Sequence, residues 1–282
     1  MACGLANRMF QYCYYLWGKK EGFEASVDFF TTKRLAHEEV NWSKIFPHAP
    51  YKLASPLKVF ILGGGSSFLN RLRRKFLRKS TKVIETSGAF EAFLPYNQKD
   101  AYMMGVFQNA KMVEQLGNLS EIFAFPELEG ERNIGLSKRL KYENSVAIHV
   151  RKGKDYQTRI WYQNTCPVEF YEKAIAYIKN HVENPKFYVF TDNPAWVREN
   201  LKGFEYELVE GNPGSGWGSH FDMQLMTLCH HNIISNSTYS WWGAYLNQNT
   251  DKIVICPKVW FNPSSCNEHN SDRLLCKNWI AI

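Results

Sequence analysis

The 282-residue sequence lacks several patterns that mark common functional classes. It has no run of about 18 apolar residues, so we expect no membrane-spanning helix, and no signal peptide precedes its first motif. The pattern GxxxxGK[ST] is also missing, so the glycine-rich segment 63–67 is interpreted as a turn instead of a phosphate-binding P-loop. We therefore expect neither a transmembrane anchor nor a P-loop nucleoside triphosphatase.

Cysteine patterns that would indicate a metal site or a disulfide framework are absent too. The chain has seven cysteines, which is an odd number, and no CxxC pair. We therefore expect free thiols and no zinc site, which indicates a reducing cytoplasm as the location of the protein. The seven are Cys3, Cys13, Cys166, Cys229, Cys256, Cys266 and Cys276.

Paired carboxylates of the DxD type are missing as well, because none of the seven aspartates lies two residues from another. A metal ion held by such a pair is one way to neutralise a diphosphate. If this chain binds a diphosphate, positive side chains and backbone N–H groups must take that role. The net charge of +7 fits a negatively charged ligand or surface, although a basic surface alone does not identify one.

Strands and helices alternate in the second half of the chain. Short runs rich in β-branched and aromatic residues predict strands, and segments with apolar residues at helical spacing lie between them. This order predicts a parallel sheet covered by helices on both faces. The predicted strands are 145–150, 186–192, 204–210, 232–236 and 252–257, and the predicted helices are 166–182, 194–201, 219–231 and 238–248.

The first half is less regular. A glycine loop and a helix are predicted at 4–22, and a strand is predicted at 24–30. The polar segment 126–133 suggests a domain boundary. We therefore predict two domains, 1–135 and 136–282.

Polar side chains follow two of the predicted strands. His149 and Arg151 lie two apart at the end of the first, and an arginine fork there suits a diphosphate. Gly153 allows the backbone to approach a ligand, and Asp155 is a candidate general base. The alternative is an ordinary surface turn with a salt bridge. Asp192 ends the next strand and is a candidate ligand residue, or else an N-cap or turn residue.

The string IISNSTYSWWGAYLN at 233–247 places small polar residues between a strand and a helix. The free N–H groups and the dipole of a helix N-terminus favour phosphate, and hydroxyl groups add donors. The alternative is a helix cap of the usual kind. Trp241 and Trp242 are interpreted as core residues that wedge the helix against the sheet. The candidate anion ligands are Asn236, Ser237, Thr238 and Ser240.

The segment Arg71–Lys82 contains seven basic residues. With Leu69, Leu72, Phe76 and Leu77 it could form a helix that has an apolar stripe beside a cationic face. Two interpretations stay open: peripheral contact with an anionic membrane at the cytoplasmic face, or a solvated helix face.

Several of these motifs together resemble the α-1,2-fucosyltransferase family, in particular its bacterial members. GLANRMFQY at 4–12 is similar to the family's GLGNQMFQY, and HVRKGKDY at 149–156 to its HVRRGDY. YVFTDNPAWV at 188–197 and the segment 222–247 also match family patterns, and 102–111 matches more weakly. The resemblance spans almost the whole chain and is loosest from about 30 to 102.

The resemblance implies an α/β protein with two Rossmann-like domains facing a cleft, which is the B-type glycosyltransferase fold. It implies a metal-independent enzyme without a cofactor that moves L-fucose from GDP-fucose, with inversion, to the 2-OH of a terminal β-galactoside. Surface polysaccharide or oligosaccharide synthesis is the expected context. No nucleic-acid partner is expected.

The resemblance also implies roles for individual residues. Arg151 would hold the diphosphate with support from His149, and Asp155 would be the base. The expected donor contacts are completed by Asn7 from the N-terminal domain, by Asp192 or Asp222 near the nucleoside, and by Asn236, Ser237 and Thr238 near the phosphates.

The sequence departs from the family pattern at three places. Ala6 replaces a glycine, Arg8 replaces a glutamine, and one residue is inserted before Asp155. We also expect the strand that usually precedes the glycine loop to be shortened or missing. Two alternatives therefore stay open: a catalytically impaired nucleotide-sugar or glycan-binding protein of the same fold, and a transferase that uses another nucleotide sugar.

Overall fold

The structure is a computed structural model that describes residues 1, 4–29, 42–63, 68–77, 81–83, 102–262, 264 and 271–282. Its helices are α1 Leu5–Lys20, α2 Trp42–Ile45, α3 Pro56–Leu62, α4 Phe68–Phe76, α5 Ala110–Glu114, α6 Glu131–Tyr142, α7 Lys154–Thr158, α8 Val168–His181, α9 Pro194–Asn200, α10 Phe221–Leu228 and α11 Thr238–Tyr245. Its strands are β1 Thr81–Val83, β2 Tyr102–Met104, β3 Ser145–Val150, β4 Lys186–Thr191, β5 Tyr206–Val209, β6 His231–Ile233, β7 Val254–Cys256 and β8 Ile280–Ala281.

The chain divides into two compact units. The first contains Met1–Val40 and Ala49–Asn118, and the second contains Asn41–His48 and Leu119–Ile282. Residues 119–135, which the sequence assigned to the first domain, belong here to the second unit. Among the described residues, no helix is both long and apolar enough to cross a membrane.

The first unit is organised around α1, whose buried face includes Met9, Phe10 and Cys13. Strands β1 and β2 pair in parallel. The strand predicted at 24–30 is not formed over its described residues. Val27 makes one isolated parallel bridge with Leu53 there. The turn predicted at 63–67 lies almost wholly outside the described residues, as do Cys3 and Cys266.

The second unit contains a six-stranded sheet in which every neighbouring pair is parallel, in the order β5-β4-β3-β6-β7-β8. Helices lie between the successive strands from β3 to β7. The α/β class and the parallel sheet predicted from the sequence are therefore confirmed. The short strand β8, at the sheet edge beside β7, was not predicted, because two residues carry no recognisable alternation.

Burial explains why the central elements form where they do. Strand β3 is buried along its whole length, as expected for a central parallel strand with both faces covered. Val146, Ile148 and Val150 pack in one cluster with apolar residues of α8 such as Ala174 and Ile178. Because side chains alternate along a strand, His149 points to the opposite face of the sheet.

The two adjacent tryptophans are core residues, as predicted. Both are fully buried, and the indole Nε1 of Trp241 donates to the carbonyl of Leu274 at 2.8 Å. The ring of Trp242 lies 5.2 Å from that of Phe123, measured between centroids. Helix α11 packs closely on α10 at Gly243. A Cβ added to this glycine would lie only 3.0 Å from the Cβ of Met226.

Trp242→Ala is expected to lower the free energy of unfolding by about 3–5 kcal/mol, because it leaves a large cavity in the core of the second unit. Tyr142→Ala is the matched control, since Tyr142 is 91% exposed and its loss should change stability by about 0.5 kcal/mol or less. Urea unfolding followed by circular dichroism compares the two. Equal stability of both variants would contradict this account of the core.

Candidate functional site

The sheet order indicates a candidate site between β3 and β6. From β3 the chain continues to β4 and β5 on one side of β3, and it then returns to form β6 on the other side. The strand order therefore reverses between β3 and β6. In open α/β sheets, ligands bind outside the carboxyl ends of the strands at such a switch point. Arg151 follows β3 directly, and Asn236 lies three residues after β6. The guanidinium of Arg151 donates through Nη1 to the backbone carbonyl of Asn236 at 3.2 Å.

Arg151 is held in place by three neighbours. Besides its bond to Asn236, its guanidinium lies over the ring of Tyr162, 4.2 Å from the centroid. Its Nη2 is 3.8 Å from Oδ2 of Asp155, and its side chain is 18% exposed. A guanidinium has five N–H donors, and within the described part of the chain only one of them makes a hydrogen bond. The group is therefore fixed in orientation, with donors left to meet an anion.

His149 of β3 contacts the segment that follows β6 and so links the two strand ends. It is buried, and its Nδ1 lies 2.8 Å from the hydroxyl of Ser235. Burial, and secondarily the charge of Arg151, lowers the pKa of His149 to about 3. The imidazole is therefore neutral at neutral pH and adds no second positive charge to the site.

Asp192 shapes the turn that follows β3. Its Oδ1 accepts hydrogen bonds from the backbone N–H groups of Lys152 and Gly153, at 2.7 and 2.8 Å. Burial raises the pKa of Asp192, and these two bonds oppose the shift. The side chain that caps α9 is the adjacent Asn193, which accepts from Trp196 N–H at 3.1 Å. Asp192 is thus a turn residue and not an N-cap, and its predicted contact with a nucleoside stays a prediction.

The turn also explains the glycine after Arg151. A Cβ at Gly153 would lie 2.6 Å from Oδ2 of Asp192, which is far inside van der Waals contact. Any side chain there would displace the carboxylate that holds the turn. The residue inserted relative to the family pattern is accommodated next to it, because α7 begins at Lys154.

The segment between β6 and α11 is a helix cap. Ser237 is the N-cap, and its hydroxyl accepts from Tyr239 N–H at 3.3 Å. The Asn236 amide donates to the carbonyl of Trp260 at 3.3 Å, and Ser240 donates to the carbonyl of Ser237 at 3.2 Å. These side chains brace the loop, and Thr238 opens the helix. The predicted contacts of these residues with an anion stay predictions.

The remaining predicted residues lie at different places. Asp222 in α10 accepts from the amide of Asn212 at 2.7 Å, and burial raises its pKa. Asp155 lies in α7, with 62% of its side chain exposed. Asn7 belongs to the first unit, where it accepts from Gln108 at 2.8 Å. The structure thus groups Arg151, His149 and the 236–240 segment, while the predicted roles of Asn7, Asp155 and Asp222 stay predictions.

Three residues of the site were not found from the sequence. Tyr162 stacks on Arg151, Ser235 bonds His149, and the hydroxyl of Tyr239 bridges Ser219 and Met223 at the start of α10. Ser235 had a usable signal, because it lies in the same small polar string as Asn236. Tyr162 had none, since it lies in a single 3-10 turn at Ile160–Tyr162.

A second buried histidine lies just before α10. His220 is fully buried between Phe125, with parallel rings 5.9 Å apart, and Trp217, at 5.0 Å. Neither ring nitrogen has a hydrogen-bond partner within the described residues. Burial lowers the pKa of His220 to about 4; nearby Lys44 adds to this effect and Glu129 opposes it.

Comparisons with known proteins point to one family. The model of glycosyl transferase family 11 matches residues 85–282. The O-antigen biosynthesis glycosyltransferase WbnK of Escherichia coli is 37% identical over 142 residues, which are 49% of this chain and 45% of that protein. The α-1,2-colitosyltransferase of Escherichia coli is 26% identical over 100% of this chain and 97% of its own length.

A mammalian relative and a solved structure complete the comparison. The galactoside α-(1,2)-fucosyltransferase 2 of Sus scrofa is 29% identical over 36% of this chain and 30% of that protein. A crystal structure of the NodZ α-1,6-fucosyltransferase soaked with GDP-fucose has a TM-score of 0.47 and 12% identity, over 86% of this chain and 89% of that one. The chain thus spans less than half the length of WbnK and of the mammalian enzyme, but nearly all of the colitosyltransferase.

His220 is expected to make the protein sensitive to acid. Its pKa is about 4 in the folded state and about 6.5 when unfolded, so below pH 6.5 the unfolded chain binds a proton that the folded chain does not. The free energy of unfolding should therefore fall between pH 6.5 and 4, by up to about 1.4 kcal/mol per pH unit from this residue. His220→Phe, which keeps the ring stacking, should remove that slope.

Urea unfolding at several pH values measures the effect. His181→Phe is the matched control, because His181 is exposed in the last turn of α8 and should leave the slope unchanged. Identical pH dependence in wild type and His220→Phe would show that His220 is protonated equally well in both states.

Proposed function

The chain belongs to glycosyl transferase family 11 and is a glycosyltransferase, and on that premise we propose that it moves L-fucose from GDP-fucose to the 2-OH of a terminal β-galactoside. The observation that carries this proposal is the fixed guanidinium of Arg151 at the switch point of the sheet, beside the N-terminus of α11. In this proposal a guanidinium and backbone N–H groups meet the diphosphate, in place of a metal ion held by a DxD carboxylate pair. Surface polysaccharide or oligosaccharide synthesis is the proposed context, in line with the O-antigen role in the name of one relative.

Stabilisation of the leaving group is the main catalytic task in this proposal. As the bond between fucose C1 and the phosphate oxygen breaks, GDP departs with the electron pair and gains negative charge. Donors that are already oriented stabilise such charge most effectively. Arg151 supplies a fixed positive charge, and the first N–H groups of α11 supply a positive dipole end. We therefore propose that no metal ion and no cofactor are needed.

The acceptor must lose a proton as it attacks. In the proposed step, a base removes the proton from O2 of galactose while that oxygen bonds to C1 of fucose from the face opposite GDP, which inverts the configuration. Asp155 is the proposed base, because it is an exposed carboxylate in the short helix α7 that follows the turn after Arg151. His149 is less suited, because it is buried and its Nδ1 already faces Ser235. The galactoside acceptor is supported by the name of the mammalian relative.

One observation favours a second donor. The relative that aligns with the whole chain is named an α-1,2-colitosyltransferase, and colitose is a fucose that lacks the 3-hydroxyl group. A site that hydrogen-bonds a hydroxyl rejects an analogue without it by large factors, whereas a site that does not hydrogen-bond it discriminates little. GDP-colitose is therefore the competing donor.

A donor panel tests the proposal. GDP release from GDP-fucose, GDP-colitose and GDP-mannose is measured with and without lactose, and all reactions are repeated in EDTA. We expect lactose-dependent GDP release that is fastest with GDP-fucose and unchanged by EDTA, with an α-1,2-linked product identified by NMR.

Each other outcome has a definite meaning. Preference for GDP-colitose would identify colitose, instead of fucose, as the sugar that is transferred. Inhibition by EDTA would contradict the metal-free mechanism. Binding of GDP-fucose without turnover on a panel of β-galactosides would indicate a catalytically impaired nucleotide-sugar-binding protein.

Substitutions at Arg151 and Asp155 should separate the two halves of the mechanism. Arg151→Ala removes the charge opposite the diphosphate, so it should lower kcat/KM at least tenfold, and by about a thousandfold at the upper end, and weaken GDP binding. Asp155→Asn removes the base, so it should lower kcat by about 10²–10⁴-fold while GDP affinity changes little. Steady-state kinetics and calorimetric titration with GDP measure both quantities.

Arg198→Ala is the matched control, because it removes a half-exposed guanidinium of α9, which pairs with Glu210 after β5. It should leave kinetics and GDP affinity unchanged. Near-wild-type activity in folded Arg151→Ala would refute the role of Arg151. Near-wild-type kcat in Asp155→Asn would assign proton removal to another group.

A further inference from the structure

Helices α3 and α4 of the first unit expose large apolar side chains. Such residues are individually common on protein surfaces, but here seven lie within 21 positions of sequence. In α4, Phe68 is 76% exposed, Leu69 is 75% exposed and Phe76 is 86% exposed. The other four are Leu57, Phe60, Leu72 and Leu77. Exposed apolar patches of this kind mark sites of interaction.

The exposed residues of α4 form one stripe. At about 100° per residue, Phe68, Leu69, Leu72 and Phe76 fall within an arc of roughly 100°, the width of a normal apolar helix face. A surface helix normally turns that face to the core. Here it points away from the protein, while Asn70 on the other side is half-buried.

Basic residues border this stripe on both sides. Helix α4 contains Arg71, Arg73, Arg74 and Lys75, and no acidic residue. By helical spacing, Lys75 and Arg73 lie next to the two edges of the apolar arc. Helix α3 adds Lys58, which is exposed, and it also has no acidic residue.

Arg73 joins the two helices into one surface. Its guanidinium lies over the ring of Phe60 in α3, 4.8 Å from the centroid. The same group donates a hydrogen bond to the backbone carbonyl of Gly63, directly after α3. The apolar residues of α3 are thereby fixed near the cationic edge of α4. We refer to residues 56–63 and 68–77 together as the α3–α4 patch.

We propose that the α3–α4 patch docks the protein on an anionic lipid bilayer. The apolar side chains enter the boundary between headgroups and acyl chains, and the bordering cations meet lipid phosphates. This geometry, an apolar stripe with basic edges, suits a helix that lies in the plane of the interface. A second copy of the chain fits less well, because its own patch would bring the same basic residues into close contact without acidic partners.

The proposal does not depend on the transferase activity, and its test uses no catalysis. Full-length protein is sedimented with vesicles of phosphatidylcholine containing about one third phosphatidylglycerol, and with vesicles of phosphatidylcholine alone. Wild type should pellet with the anionic vesicles at low salt, bind the neutral ones at least tenfold more weakly, and be released by high salt, because exposed charges are screened within about 10 Å at 0.1 M salt.

Two variants separate the apolar and the charged contributions. Phe68→Ser with Leu69→Ser and Phe76→Ser removes the stripe at positions that are more than two thirds exposed, so folding should not suffer. Arg71→Gln with Arg74→Gln and Lys75→Gln removes charge but keeps Arg73, which links the helices. Both should lose at least tenfold in vesicle affinity, with unchanged circular dichroism and thermal unfolding. Tyr142→Ser, an exposed aromatic of the second unit, is the matched control and should bind like wild type.

The contrary outcomes are equally clear. Equal sedimentation of wild type and both folded variants would overturn the proposal, and so would wild-type protein that fails to bind anionic vesicles at low salt. Analytical ultracentrifugation supplies the competing result: a wild-type dimer that the Ser variant dissociates, without vesicle binding, would assign the patch to self-association.

Discussion

The parallel pairing of β3 with β6 is the interaction on which the site depends. It brings two segments that are more than 80 residues apart in sequence to the same edge of the sheet. The end of β3 supplies Arg151, and the end of β6 supplies the start of α11. Neither would suffice alone, since a lone arginine lacks a positioned partner and a lone helix N-terminus carries only a partial charge. Their juxtaposition at the switch point produces a site with a full positive charge beside a helix dipole.

The polar groups of the site mostly bind one another, which gives the site its rigidity. Asp192 holds the backbone of Lys152 and Gly153, Tyr162 stacks on Arg151, and Asn236 braces the loop before α11. A donor that is already oriented needs no reorganisation when charge develops on a ligand. His149 is neutral at neutral pH, so its ring contacts Ser235 without competing with Arg151 for an anion.

The sequence allowed the second unit to be predicted better than the first, for physical reasons. Buried parallel strands require continuous β-branched runs, and the run at 145–150 is such a strand. The short strand β8 and the single bridge at Val27 depend on partners distant in sequence, which local patterns do not encode. Within the candidate site, the position of Arg151 at the end of β3 was predictable, because it directly follows a continuous buried run. The contact of Tyr162 was not predictable, because it is created by a short 3-10 turn that the local sequence does not reveal. The choice between Asp192 and Asn193 as the cap of α9 depends on a shift of one residue.

The excess of basic residues serves two different kinds of contact in these proposals. Arg151 is largely buried and held by neighbours, so its interaction with an anion is little screened and directional. Lys75 and Arg73 of α4 lie next to the edges of an exposed apolar stripe, where each charge acts weakly and salt screens it. Such charges become useful only in number and next to apolar groups that can enter a lipid surface. In these proposals, a buried and fixed positive charge binds one phosphate group, whereas exposed charges bind an anionic surface. Both kinds contribute to the net charge of +7.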